Sequence, residues 1–132
     1  MRSLVRRLAP ALWLSGAVNC AGTDPSDFGR CSGGLQLTIQ RVTALVELRW
    51  GPDGCSVYSI SIAKGTLSDT GWYVEMIEYR NGIESPVRYG VTPSGTQASP
   101  AETLNGGPYR LIITRLNGGS AEIVADTTFN AP

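Results

Sequence analysis

Residues Leu45 to Ile62, LVELRWGPDGCSVYSISI, decide how the chain folds. Val46, Leu48 and Trp50 alternate with Glu47 and Arg49, and beyond a Gly-Pro-Asp-Gly sequence Tyr58, Ile60 and Ile62 alternate with Ser59 and Ser61. A period of two puts one set of side chains on each face of a strand, so each run is expected to be a half-buried strand with its apolar set turned to a core. Pro52 and the glycines at 51 and 54 suit the tight connection between them. Upstream, Leu35, Leu37 and Ile39 alternate with Gln36, Thr38 and Gln40, which gives a further strand.

The pattern continues to the C-terminus. Trp72 to Tyr79 reads as a strand, and the Asn81-Gly82 pair behind it predicts a hairpin returning through Ile83. Pro86, Pro93 and Pro100 interrupt the next segment, so Val87 to Val91 is expected to be at most an edge strand and Thr92 to Ala101 mostly loop. Tyr109, Leu111 and Ile113 form the next strand, LNGG at 116–119 turns the chain, and Ile123, Ala125 and Phe129 supply the last. Seven or eight short strands with turn signals between them define an all-β antiparallel sandwich over residues 34–132.

Composition limits what such a domain does. The 132 residues contain no histidine, the commonest general base and metal ligand. Of the acidic residues, Asp53 sits in a turn, where Asp binds its own backbone, and Glu75 and Glu78 are three apart on a strand, hence on opposite faces. No spaced Asp-rich loop suggests calcium, and the pairs Gly33-Gly34, Gly106-Gly107 and Gly118-Gly119 open no helix that would cradle a phosphate. A non-enzymatic role without metal or cofactor is therefore expected.

The front of the chain has its own logic. Residues 1–21 carry Arg2, Arg6 and Arg7, an apolar run from Leu8 to Val18 and then small residues, the order of a signal peptide. The run is too short to span a bilayer. Removing it leaves eight basic against eleven acidic residues, a net charge of −3, which makes nucleic acid an unexpected partner. Polar residues 22–33 form a tether. The short signal followed at once by AGTDPSDFGR resembles that of a bacterial lipoprotein, which implies cleavage before Cys20 and a lipid anchor on it; signal peptidase cutting after Ala17 is the other route. Three cysteines leave one over after a single disulfide, so a lipid on Cys20 leaves Cys31 and Cys55 to pair. The expected location is the cell envelope, anchored to the membrane, or the medium.

LRWGP and VYSISI also resemble the fibronectin type III family, where a Trp closes the second strand before a Pro-containing turn and a Tyr opens the third. Leu104, NGGP and Tyr109 resemble that family's tyrosine corner, here with Gly ahead of Pro and a spacing one residue shorter. The resemblance covers about Leu35 to Phe129 and implies an immunoglobulin-like sandwich, with Trp50 and Tyr58 in the core. It also implies that the start of the first strand and the turn holding Cys55 share a pole, which brings Cys31 and Cys55 together. SPVRYGVTPSGT, with the corner-like stretch, looks like small bacterial lipoproteins of this build; neither likeness implies an activity.

One strand is unusual in carrying large side chains on both faces. Trp72, Val74 and Met76 share one; Tyr73, Ile77 and Tyr79 share the other, with Tyr89 expected nearby. With the first set in the core, the second forms an aromatic surface suited to a protein or glycan ligand. The sequence thus points to an exported binding or structural module, or to a carbohydrate-binding or adhesion domain that uses Tyr73 and Tyr79.

Overall fold

A computed structural model describes Cys31 and residues 34–65 and 70–131. The proposed signal, Cys20 and, apart from Cys31, the tether lie outside the described residues. Among the described residues eight strands succeed one another: β1 (Gln36–Val42), β2 (Leu45–Gly51), β3 (Ser59–Lys64), β4 (Thr70–Met76), β5 (Val87–Arg88), β6 (Thr96–Ala98), β7 (Tyr109–Asn117) and β8 (Ser120–Phe129). They build two antiparallel sheets, β1-β2-β5 and β6-β4-β3-β7-β8. The fold is all-β and sandwich-like.

Alternation along each strand places the core. From the small sheet come Val46, Leu48, Trp50 and Val87; from the large one come Ile60, Ile62, Trp72, Val74, Met76, Tyr109, Leu111 and Ile113, all in one buried cluster. Each fully buried aliphatic side chain of this kind contributes about 1.5–3 kcal/mol relative to exposure. Exposed ion pairs such as Arg80–Glu78 contribute about 0–1 kcal/mol. Apolar packing therefore dominates the stability.

The turn after β2 behaves as its sequence predicts. Cys55 N donates to Pro52 O at 3.3 Å, and Gly54 takes a φ of 79°, a value that residues with a Cβ reach only with strain. Trp50 Nε1 donates to Cys55 O at 2.8 Å, so the indole is buried with its polar atom satisfied. Cys55 is bonded to Cys31, with their Cα atoms 5.7 Å apart. Closing a loop between residues 24 apart stabilises by about 3 kcal/mol in the chain-entropy account.

Two expectations are corrected. First, β4 ends at Met76, and Asn81-Gly82 makes no hairpin within the sheet. The Asn81 side chain instead behaves as a length of strand: Leu116 N donates to its Oδ1 at 2.7 Å, and its Nδ2 donates to Leu116 O at 3.0 Å. Ile83 then exchanges both backbone hydrogen bonds with Val57 at 2.9 Å, after which the chain crosses to the small sheet as β5. Burial of Ile83, fully inaccessible, outweighs the local turn preference of Asn-Gly.

Second, Val57 rather than Tyr58 fills the core beside β3; Val57 is inaccessible, while Tyr58 is half-buried at the core margin with its hydroxyl on Glu75. Strict alternation counted back from Ile60 fails here because the ladder is reduced to an isolated bridge at Val57. The stretch from Thr92 to Ala101 is mostly loop as expected, and within it the short β6 extends the large sheet by pairing with β4 between Pro93 and Pro100. The last strand, β8, runs through Ile123, Ala125 and Phe129 as expected, with Ile123 60% exposed. The register steps from Ile113↔Ala125 to Thr114↔Ile123, so Val124 is an extra residue that reverses the face of everything before it.

Candidate functional site

The outer face of the large sheet gathers the aromatic residues that the core does not take. Register sets Ser59 opposite Glu75 and Ser61 opposite Tyr73 across β3 and β4, and Gln97 of β6 opposite Glu75 on the other side. On β7, Thr114 lies opposite Ser59 and Ile112 opposite Ser61. Because Trp72, Val74 and Met76 turn inward, Tyr73 and Glu75 turn outward.

Glu75 is the centre of the arrangement. Tyr58 donates its hydroxyl to Glu75 Oε1 at 2.7 Å. That hydrogen bond, with desolvation and the carboxylate charge behind it, pushes the Tyr58 phenol up to about 12. Tyr73 is also raised, by burial first and then by the charge of Glu75. Both are therefore neutral phenols at physiological pH, able to donate as well as accept.

Tyr79 completes the cluster from beyond the end of β4. Its ring meets Tyr58 edge to face, with centroids 5.6 Å apart and planes at 68°, and its hydroxyl donates to Gly119 O at 3.0 Å. The ring is thus held from both sides although Tyr79 is 61% exposed. Ile77, two residues earlier in the chain, is 68% exposed. Tyrosines of this kind offer a rigid apolar face at low entropic cost together with a polar tip. Further along the same face, Arg110 forks onto Asp126 through Nε at 2.9 Å and a terminal nitrogen at 2.7 Å, and the guanidinium holds the Asp126 carboxyl below its usual range.

Of the residues singled out in the sequence, Tyr73 and Tyr79 come together here around Tyr58, Ile77 is exposed just past the end of β4, and Tyr89 lies elsewhere. Tyr89 is 9% exposed, packs edge-on against Trp72 at 5.2 Å between ring centroids, and donates its hydroxyl to the carbonyls of Gly71 and Glu102. Its position just past β5 carries it across to the core, away from the outer face of β4. Conversely, the alternation pattern assigns Tyr58 to the core and leaves Glu75 without a role. The adjacent Val57 is the signal that a second apolar residue competes for the inward position.

Two other features rival this face. A groove of about 510 Å³ lies at the disulfide pole, lined by Gln36, Arg49, Trp50, Asp53, Glu84 and their neighbours. Its walls are polar and of mixed charge, and Trp50 among them is only 4% exposed, its indole committed to the core. On the outer side of the small sheet, Glu47 is buried beneath Arg49 at 3.0 Å and Arg88 at 3.8 Å, with Gln40 donating at 3.4 Å. This is a fully paired carboxylate on a strand, a structural arrangement. Among the described residues no group of three or more Cys, Asp or Glu side chains is placed to hold a metal ion, and no helix is long and apolar enough to cross a membrane. Comparison of the chain with known protein families, curated proteins and solved structures gives no match.

Proposed function

We propose that this chain is a non-enzymatic binding or structural module of the cell envelope or of the secreted fraction, built as an immunoglobulin-like, fibronectin type III-like sandwich. Strand order supports the fold assignment: β1, β2 and β5 sit where A, B and E would, opposite β3, β7 and β8 at C, F and G, with β4 and β6 added beside C. The Tyr109 hydroxyl supports it too, receiving Asn105 N at 2.8 Å and donating to Asn105 O at 3.4 Å, as a tyrosine corner at the start of strand F does. Export rests on the signal-like residues 1–21, and membrane attachment on a lipid at Cys20.

The observation that carries the binding role is the anchored cluster of Tyr58, Tyr73 and Tyr79 around Glu75. It favours one specific version of the role, carbohydrate binding or adhesion. Ring faces stack on the apolar side of a sugar, while a carboxylate and phenol hydroxyls take its hydroxyl groups. A glycan array probed with the wild-type protein, Tyr73→Ala and Tyr79→Ala tests this. Binding that both variants lose while their circular dichroism is unchanged supports the carbohydrate reading; binding that survives in both places the ligand elsewhere. Intact-mass measurement of the envelope protein tests the anchor: an acylated N-terminal Cys20 is expected, and an unmodified N-terminus at Val18 contradicts it.

A further inference from the structure

The sequence contains three Asn-Gly pairs, at 81–82, 105–106 and 117–118. Such pairs are chemically labile because the glycine nitrogen, unhindered by a neighbouring Cβ, attacks the asparagine side-chain carbonyl carbon. A five-membered succinimide forms and ammonia leaves. Water then opens the ring at one carbonyl or the other, giving aspartate or isoaspartate. Reaction needs a side chain able to swing towards the following nitrogen, a nitrogen whose N–H is not engaged, and room for the ring.

The fold treats the three pairs very differently. At Asn81 both ends of the amide are held by Leu116, at 2.7 and 3.0 Å, and Gly82 N donates to Val57 O at 3.1 Å. Space is also closed: a Cβ built on Gly82 would lie 2.6 Å from Met76 Cε. At Asn105 the residue is exposed and the hydrogen bonds with Tyr109 involve its backbone, leaving the amide outside the corner. Around Gly106, which takes a φ of 63°, nothing stands within 4 Å of a built Cβ. Asn117 lies between these extremes, with one exposed contact from Nδ2 to Glu122 at 3.1 Å and open space at Gly118.

We propose that Asn105 is a site of spontaneous deamidation in the native protein, whereas Asn81 is sequestered and reacts only in chains that have opened. Packing holds the sequestered pair, Asn81 as a surrogate strand and Gly82 against the buried Met76 side chain, so the fold protects a pair that is labile in the open chain. Conversion of Asn105 adds a negative charge beside the tyrosine corner, and isoaspartate adds a methylene to the main chain that Tyr109 grips. Conversion of Asn81 removes the donor that satisfies Leu116 O and marks an opened chain irreversibly.

Three hydrogen bonds oppose reaction at Asn81, each worth about a five-fold factor in the opening equilibrium, so its native rate is expected to fall about a hundred-fold below its unfolded rate. The test uses the intact, disulfide-bonded protein, aged at mildly alkaline pH in native buffer and in concentrated urea, then digested with trypsin. Cleavage at Arg80, Arg88, Arg110 and Arg115 puts the three pairs on separate peptides, 81–88, 89–110 and 116–132. Deamidation is read as the mass gain from amide to acid and as a chromatographic doublet for aspartate and isoaspartate. In native buffer the 89–110 peptide should convert first, 116–132 more slowly and 81–88 last; in urea the three should converge. Native conversion of 81–88 at the rate of 89–110, or no native conversion of 89–110, overturns the proposal.

Discussion

Replacing Asn81 by alanine should cost far more than the loss of a polar side chain next to exposed residues ordinarily does. The amide supplies one acceptor and one donor to the backbone of Leu116, a residue only 6% exposed, at 2.7 and 3.0 Å. Two net hydrogen bonds are worth about 2 kcal/mol, and orphaned, largely buried backbone groups add to that, so about 2–3 kcal/mol is expected. For a domain of this size that lowers the melting temperature by roughly 10–20 °C. Urea unfolding followed by fluorescence of the buried Trp50 and Trp72 measures it directly, and the midpoint should fall without a change in slope. Asn117→Ala is the matched control, since its side chain makes one exposed contact and should cost under about 0.5 kcal/mol. Equal, small losses in the two variants would refute the idea that Asn81 acts as a strand surrogate.

The same geometry makes two further outcomes testable. Replacing Cys31 and Cys55 together by serine should destabilise by about 3 kcal/mol, measured by the same unfolding experiment, with no change in the sheet signature by circular dichroism. Raised phenol values at Tyr58, Tyr73 and Tyr89 make the folded state hold protons that the unfolded chain loses. Their contribution is complete below the unfolded value of about 10 and drains away as pH climbs towards about 12 for Tyr58. Thermal melts across that alkaline range should therefore fall, and fall less steeply in Tyr58→Phe.

Much of the fold is legible in the sequence because burial on one face of a sheet writes itself as alternation. β1, β2 and β7 stand where period two puts them, and Trp50 is buried as expected. The pairing of Cys31 with Cys55 is found as well. What escapes is set by contacts distant in sequence. Asn81-Gly82 carries a strong local hairpin signal, yet its partners are Leu116 and Val57. Val124 inverts Ile123 through a bulge that alternation cannot register. Val57 and Tyr58 are adjacent candidates for one inward position, and only the bridge to Ile83 decides between them. The candidate site is half legible for the same reason. Tyr73 is given by strand periodicity and Tyr79 joins it from beyond the end of β4, whereas Tyr58 and Glu75 enter through a cross-strand hydrogen bond, and Tyr89 leaves because β5 belongs to the other sheet.

The most direct test of the binding role is Tyr79→Ala, with glycan-array binding and urea stability read on the same preparation. Tyr79 is 61% exposed and its hydroxyl makes one exposed hydrogen bond, so the variant should keep its stability to within about 1 kcal/mol while losing glycan binding. Wild-type levels of binding in the variant, or a stability loss of several kcal/mol, would contradict the account and make the tyrosine cluster a device for holding the sheet together.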